Sequence, residues 1–160
     1  MAKKVKVKKT LVEQILTKAG IDHQGIQINA LEGELPSDYD RNHIFKTLAL
    51  LGDKTGPVIG IVPITEHLSE KKLAKISGNK KAAMIPQKDL EKTTGYIHGA
   101  NNPVGIRQKH NYPIFIDETA LELEKMIVSA GEVGHSIIIA PKDLANFVKA
   151  SFVDILEEIN

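Results

Sequence analysis

The sequence predicts a single α+β domain in which helices flank a central mixed, largely antiparallel sheet. Short segments rich in Val and Ile dominate the chain, and short helical segments are interspersed without a regular strand–helix–strand rhythm. The 160 residues, 42% of them hydrophobic, suffice for one packed core. We expect the domain to occupy residues 10–155, between a basic N-terminal tail at 1–9 and a C-terminal tail at 156–160.

Capping signals and hydrophobic spacing predict the helices. Thr10 and Glu13 have the spacing of a capping box, and apolar side chains recur at helical spacing until Gly20. Asp117 is placed to cap a helix, and Pro141 stands at the favoured first position of another. The predicted helices cover residues 11–19, 69–76, 87–93, 117–125 and the segment after Pro141.

Segments rich in β-branched residues predict the strands. The strongest is His43–Leu51, and the turn-rich residues 52–56 predict a hairpin that joins it to Pro57–Ile64. A second hairpin is predicted around residues 131–134, whereas residues 31–40 are polar and rich in turn formers. The remaining predicted strands are 23–29, 81–85, 112–116, 126–130 and 135–140.

The composition excludes several classes of protein. Cys is absent, so neither a disulfide nor a Cys-based metal site is available. No apolar run approaches the roughly 18 residues of a membrane span, and the lysine-rich start lacks a signal peptide's apolar stretch. We therefore expect a cytoplasmic protein without a metal or cofactor. The net charge of +1 does not indicate a protein that grips a long nucleic-acid backbone. Two lysine runs are typical of solvated surface and leave room for a modest phosphate-binding face: Lys3, Lys4, Lys6, Lys8 and Lys9, and Lys71, Lys72, Lys75, Lys80 and Lys81.

Lys46 is the least expected residue of the strongest strand. Alternation puts Ile44, Lys46 and Leu48 on one face, so a charged side chain interrupts an apolar row. One interpretation is a structural lysine whose ammonium reaches water at the margin of the sheet. The other is an ammonium directed into a cleft, where partial desolvation strengthens its attraction for an anion.

The 95–105 segment, from Gly95 to Gly105, is the second unusual feature. Its glycines would let backbone N–H groups approach a ligand and stabilise an oxyanion, although an ordinary ordered loop has a similar composition. His98 lies inside the segment and is the histidine most suited to a functional test. The histidines lack the i, i+4 spacing of a helical zinc pair, and no G-x-S-x-G motif indicates a serine hydrolase.

Several short motifs occur in a defined order, beginning with Phe45-Lys46-Thr47-Leu48. The 95–105 segment with the preceding Thr94 matches most of the pattern T-G-Y-x-x-G-G-x-S-P-x-G. Together the motifs resemble the YbaK/EbsC family of aminoacyl-tRNA deacylases, which is related to the editing domain of prolyl-tRNA synthetase. The resemblance runs from about Thr10 to Ile155 and includes residues 58–63, 74–83, 128–131 and 140–144.

The resemblance implies a cleft for the 3′ aminoacyl-adenosine of a charged tRNA, with Lys46 as the catalytic residue. For cysteine esters it implies that the substrate thiol attacks its own ester carbonyl and leaves as a thiolactone. Lys46 would hold the reacting 3′ end while N–H groups near Gly99 stabilise the oxyanion, and a general-base role for Lys46 is the alternative. The implied substrate-binding residues are Phe45, Thr47, Gly99, Ala100, Asn101, Asn102, Pro103, Gly105 and Ser129.

Three positions depart from the family pattern. Ala100 replaces the second loop glycine, Asn102 replaces the loop serine, and Ser136 stands where an aspartate is common. These positions surround the implied amino-acid pocket. They leave open the choice among Cys, Ala and similar amino acids, because pockets that select by size alone discriminate weakly.

The resemblance favours a trans-editing deacylase that removes Cys from Cys-tRNA(Pro), with Cys-tRNA(Cys) as a second substrate. One alternative is a deacylase of the same fold for another small amino acid, such as that of Ala-tRNA(Pro). The other is a non-catalytic module that binds tRNA or a synthetase. Prolyl-tRNA synthetase is the implied partner, since a small editing domain discriminates poorly among tRNAs by itself.

Overall fold

The computed structural model describes residues 9–28 and 35–158, and it confirms the α+β fold. Residues 1–8 of the predicted basic tail, 29–34 and 159–160 lie outside the described residues. The helices within the described ranges are α1 (Leu11–Lys18), α2 (Glu70–Ser77), α3 (Gln87–Thr94), α4 (Pro103–Lys109) and α5 (Pro141–Val148). The strands are β1 (His23–Ile26), β2 (Phe45–Gly52), β3 (Gly56–Pro63), β4 (Ala82–Met84), β5 (Ile114–Asp117), β6 (Met126–Glu132), β7 (His135–Ile139) and β8 (Ser151–Val153).

The strands form two sheets where one central sheet was predicted. A mixed sheet has the order β4-β2-β3-β5-β8, with antiparallel pairing around β2 and parallel pairing of β5 with β3 and β8. A second, antiparallel sheet has the order β1-β7-β6. A parallel bridge between Ile44 and Ile127 connects them, so β6 lies beside the beginning of β2.

Most helix ends follow the predicted capping chemistry. The Thr10 hydroxyl accepts a hydrogen bond from the Glu13 N–H at 3.2 Å, and the Glu13 carboxylate accepts one from the Thr10 N–H at 3.3 Å. Helix α2 ends at Gly78, which adopts the left-handed conformation with φ 84°. No helix in the described ranges is long and apolar enough to span a membrane.

The helix predicted over 117–125 is wrong in its extent. Asp117 does cap it, since its carboxylate accepts from the Thr119 N–H at 3.1 Å, but only a 3-10 helix over Glu118–Glu122 follows. The other carboxylate oxygen of Asp117 accepts from the Ile155 N–H at 3.0 Å. The chain must then extend before Met126, where β6 starts to pair with β7.

One α-helix and one strand escaped the sequence prediction. Helix α4 begins within the segment that was predicted as a loop. Gly105 concealed it, since glycine has a low helix propensity. Pro103 nevertheless occupies its first turn, and the Asn102 side chain caps it. Strand β8 is only three residues long and extends the mixed sheet beside β5. The bridge between Leu156 and Leu68 continues the packing into the predicted C-terminal tail.

Both faces of the β2–β3 hairpin are covered by buried side chains. Phe45 and Ala49 belong to the larger core, which also contains Val128 of β6. Leu50 belongs to a second core that includes Leu73 of α2. Because the two cores flank the hairpin, a ligand would reach β2 from its open edge.

Candidate active site at the open edge of strand β2

The candidate site is a cleft along the unpaired part of the β2 edge. β3 pairs with β2 over its whole length, whereas β4 pairs only with Leu50–Gly52. The earlier part of the strand borders a cavity of about 670 Å³, which we name the Lys46 cleft. Its lining comes from residues 44–49, from Arg41 and Ile64, from Met84, Ile85, Gln87 and Leu90, from His98, Gly99 and Asn101, and from Val128, Ser129 and 133–136.

The hydrogen-bond pattern directs backbone groups of β2 into the cleft. Ile64 N–H donates to the Ile44 carbonyl at 2.9 Å, and Ile85 N–H donates to the Ala49 carbonyl at 3.1 Å. Peptide groups alternate between the two edges of an antiparallel strand. Thr47 therefore directs its N–H and C=O away from β3, toward the edge that β4 leaves uncovered.

Lys46 gives the cleft its charge. Its side chain is half-buried and lines the cleft on the opposite face of β2 from Phe45 and Thr47. Within the described residues no carboxylate forms an ion pair with it. Arg41 adds a second cation, and the described lining contains no Asp or Glu. In a chain of nearly balanced charge, this cleft therefore attracts anionic ligands.

The 95–105 segment contributes part of its backbone to the opposite wall. His98, Gly99 and Asn101 line the cleft, and Gly99 has the positive φ of 89° that favours glycine. Within the described part of the chain, the N–H groups of Gly99 and Asn101 have no protein acceptor. The Gly99 carbonyl accepts from the Ser129 hydroxyl at 3.4 Å, so Ser129 fixes this turn and also lines the cleft.

The rest of the predicted substrate-binding loop lies outside the cleft lining. Ala100, Asn102, Pro103 and Gly105 are buried. The Asn102 side chain accepts from the Gly105 N–H at 2.6 Å and donates to the Ala100 carbonyl at 3.1 Å. These residues hold the start of α4 and the turn before it, and their contact with substrate stays a prediction.

Gly105 is explained by packing rather than by ligand approach. The Tyr96 ring lies against its backbone, and a β-carbon at Gly105 would overlap the Tyr96 hydroxyl and ring. Lys109 stacks its ammonium over the same ring, 4.4 Å from the centroid. The glycine thus allows Tyr96 to anchor the 95–105 segment to α4.

Several cleft residues were not proposed as substrate-binding from the sequence. Arg41, Leu90 and Val128 come from distant segments, so no spacing in the chain connects them with Lys46. Ser136 was noted only as a departure from a motif; its hydroxyl donates to the Ile28 carbonyl at 2.8 Å, opposite Ser129 in the β6–β7 ladder. No group of three or more His, Asp or Glu residues in the described ranges could hold a metal ion.

The fold and the cleft define an α+β domain with a cleft at the open edge of β2, lined by Lys46 and Arg41 and by no described Asp or Glu. Comparison with known proteins then identifies the class. Residues 36–147 match the family model described as the aminoacyl-tRNA editing domain. A protein of Enterococcus faecalis, named provisionally as the Cys-tRNA(Pro)/Cys-tRNA(Cys) deacylase EbsC, is 36% identical over 162 residues, covering 97% of this chain and 98% of its own.

Solved structures agree on the fold. A structure from a computational design study that grafted epitope backbones onto scaffold proteins matches with a TM-score of 0.79 at 23% identity, covering 92% of this chain and 96% of its own. The crystal structure of a protein described provisionally as a trans-editing enzyme for prolyl tRNA synthetase matches with a TM-score of 0.72 at 21% identity, covering 92% and 95%. The chain belongs to the aminoacyl-tRNA editing domain family, which confirms the predicted class of aminoacyl-tRNA deacylase.

Proposed function

We propose that this protein is a trans-editing deacylase that removes Cys from Cys-tRNA(Pro), with Cys-tRNA(Cys) as a second substrate. The observation that carries the proposal is Lys46, an ammonium without an ion-pair partner among the described residues, on the open edge of β2. The name of the Enterococcus faecalis relative supports the choice of Cys. The cleft volume of about 670 Å³ suits an aminoacyl-adenosine.

In the proposed mechanism the substrate supplies the nucleophile. The cysteine sulfur attacks the ester carbonyl carbon, the bond from that carbon to the ribose oxygen breaks, and the thiol proton ends on the ribose hydroxyl. The amino acid leaves as a thiolactone. The two serines of the cleft support this scheme, because the hydroxyls of Ser129 and Ser136 are engaged with backbone carbonyls.

The protein's part is positioning and charge stabilisation. Lys46 is proposed to hold the reacting 3′ end, and the N–H groups of Gly99 and Asn101 to stabilise the negative charge that develops on the carbonyl oxygen. Phe45, Thr47 and Ser129 are proposed to shape the substrate site, since all three line the Lys46 cleft. A general-base role for Lys46 remains the alternative assignment.

Prolyl-tRNA synthetase is the proposed partner. The cleft has room for the end of a charged tRNA, whereas a tRNA body lies far outside a volume of about 670 Å³. Selection of tRNA(Pro) therefore requires contacts elsewhere. Size-exclusion chromatography of the protein with prolyl-tRNA synthetase and tRNA(Pro) should show a shared complex, and separate elution at micromolar concentrations would contradict this part of the proposal.

The proposed activity is tested with a deacylation panel under single-turnover conditions. Wild type should discharge Cys-tRNA(Pro) faster than Ala-tRNA(Pro), and mass spectrometry of the product should show the thiolactone before it hydrolyses. Faster release of Ala would replace the cysteine assignment by the alanine one. Binding of every charged tRNA without discharge of any would indicate a non-catalytic module.

A further inference from the structure

One buried polar group in the Lys46 cleft is left unsatisfied by the protein. Among the described residues, the hydroxyl oxygen of Thr47 is the one fully buried side-chain nitrogen or oxygen without a hydrogen-bond partner. A buried hydroxyl left without a partner destabilises a protein by about 1–3 kcal/mol. A Val of nearly the same shape would avoid this penalty, so the hydroxyl calls for a partner that the protein does not supply.

The surroundings of Thr47 indicate the chemistry of that partner. Thr47 lies between Phe45 and Ala49 on one face of β2, and this face packs into the larger core with Leu90 and Val128. All five residues line the cleft. Of these five side chains only that of Thr47 is polar, and we name the part of the cleft that they line the Thr47 compartment.

The ammonium that β2 contributes to the cleft lies on the other face of the strand. Lys46 is one residue away, about 3.3 Å along the strand, and its side chain projects from the opposite face. The anionic parts of a charged tRNA end are attracted to that face. The Thr47 compartment is therefore left for the least charged part of the ligand, which is the side chain of the esterified amino acid.

We infer that the Thr47 compartment binds this amino-acid side chain and that the Thr47 hydroxyl forms a hydrogen bond with its thiol or hydroxyl group. The inference rests on the proposed function and adds the basis of its substrate choice. The hydroxyl is covered in the unliganded protein. Rotation about the Thr47 Cα–Cβ bond interchanges the hydroxyl and the methyl group among staggered positions. The hydroxyl can therefore turn toward a ligand in the cleft.

Thr47 is then a specificity residue for small polar amino acids. A thiol or hydroxyl gains a hydrogen bond that the methyl group of Ala cannot form. A neutral hydrogen bond of this kind changes a rate or affinity ratio by about two- to tenfold. Apolar walls alone would separate Cys, Ser and Ala only by size, which gives weak discrimination.

The test compares Thr47→Val, Thr47→Ser and wild type on Cys-, Ser- and Ala-tRNA(Pro). In Thr47→Val the ratio of kcat/KM for Cys to that for Ala should fall about two- to tenfold, and Thr47→Ser should retain it. Thr17→Val, on the exposed side of α1, is the matched control and should leave the ratio unchanged. An unaltered ratio in Thr47→Val would overturn the inference.

Two further measurements distinguish ligand recognition by Thr47 from a purely structural role. Thr47→Val should unfold at the same or a higher temperature than wild type, because no internal hydrogen bond is lost; a clear decrease together with equal losses on all substrates would indicate a structural role. Calorimetry measures the affinities for adenosine that carries Cys or Ala through a 3′-amide. The ratio of these two affinities should fall in Thr47→Val as the ratio of kcat/KM does, and it requires no turnover. A wild type that binds these analogues but discharges no tRNA would contradict the proposed function and leave the Thr47 inference standing.

Discussion

Two buried threonines show how the β2 edge differs from the 95–105 segment. Thr94 is 0% exposed, and its hydroxyl lies 2.7 Å from the Asn101 side-chain oxygen and accepts from the Tyr96 N–H at 3.1 Å. Thr47 is 8% exposed and its hydroxyl has no partner among the described residues. The Thr94 hydroxyl is thus satisfied within the protein, whereas the Thr47 hydroxyl lies in the surface that we propose as the ligand site.

The contrast extends to the neighbouring groups. Asn102 uses both ends of its side-chain amide within the 95–105 segment. Lys46 and the backbone of Thr47 have no comparable partners on the described part of the strand edge. Native proteins pair nearly all their buried polar groups, so an exception needs an explanation, and for Thr47 we propose a ligand. We therefore propose that ligand binding involves the strand edge together with the N–H groups of Gly99 and Asn101.

The largest expected effect is on catalysis, from Lys46→Ala. Loss of the ammonium should lower the single-turnover rate constant on Cys-tRNA(Pro) by about 10²–10³-fold, the range for removal of one charge-stabilising donor. The unfolding temperature should stay close to that of wild type, because no ion pair is broken. Lys18→Ala, an exposed lysine at the end of α1, is the matched control and should keep full activity. Equal rates for the two variants would remove Lys46 from the mechanism.

The next effect is on stability, from Gly105→Ala. The new methyl group must displace the Tyr96 ring, and overpacking of this kind destabilises by about 1–3 kcal/mol. Adding Tyr96→Phe removes the hydroxyl nearest to the new methyl group and should recover part of the lost stability. Urea denaturation of wild type, the two single variants and the double variant measures this recovery. Strict additivity would show that Tyr96 is not the cause.

A smaller effect distinguishes the two threonines directly. Thr94→Val should destabilise by about 1–2 kcal/mol, because the Tyr96 N–H and the Asn101 side chain lose their partner. Thr47→Val should show no such loss. Thermal unfolding of both variants under identical conditions makes the comparison, and a similar decrease for both would erase the difference between the 95–105 segment and the β2 edge.

The smallest effect comes from a surface pair outside both regions. Lys72 donates to Asp154 at 3.0 Å, which lowers the pKa of the Asp154 carboxyl below its usual value of 3.8. The pair's stabilisation is therefore complete above that value and is lost as the pH falls through the lowered pKa. Asp154→Asn should unfold slightly earlier than wild type at pH 7, with the difference vanishing in strong acid. A difference that grew toward low pH would contradict the assignment.

The sequence predicted the elements with a clear local signal. Lys46 was recognisable because it interrupts an apolar alternation, and α1 because a capping box precedes it. The division into two sheets was not predictable, since it depends on β7 pairing with β1 across more than a hundred residues. The glycine-rich composition of the 95–105 segment suggested ligand contact throughout. The structure shows that Gly105 is small in order to admit Tyr96.

The proposed binding surface consists of the β2 edge and the outer turn of the 95–105 segment. Amide chemical shifts during titration with adenosine that carries Cys through a 3′-amide test this placement without requiring turnover. We expect the amides of Thr47, Gly99 and Asn101 to shift most, while that of Gly105 in α4 hardly moves. Large shifts confined to α4, with Thr47 unchanged, would show that the ligand binds elsewhere.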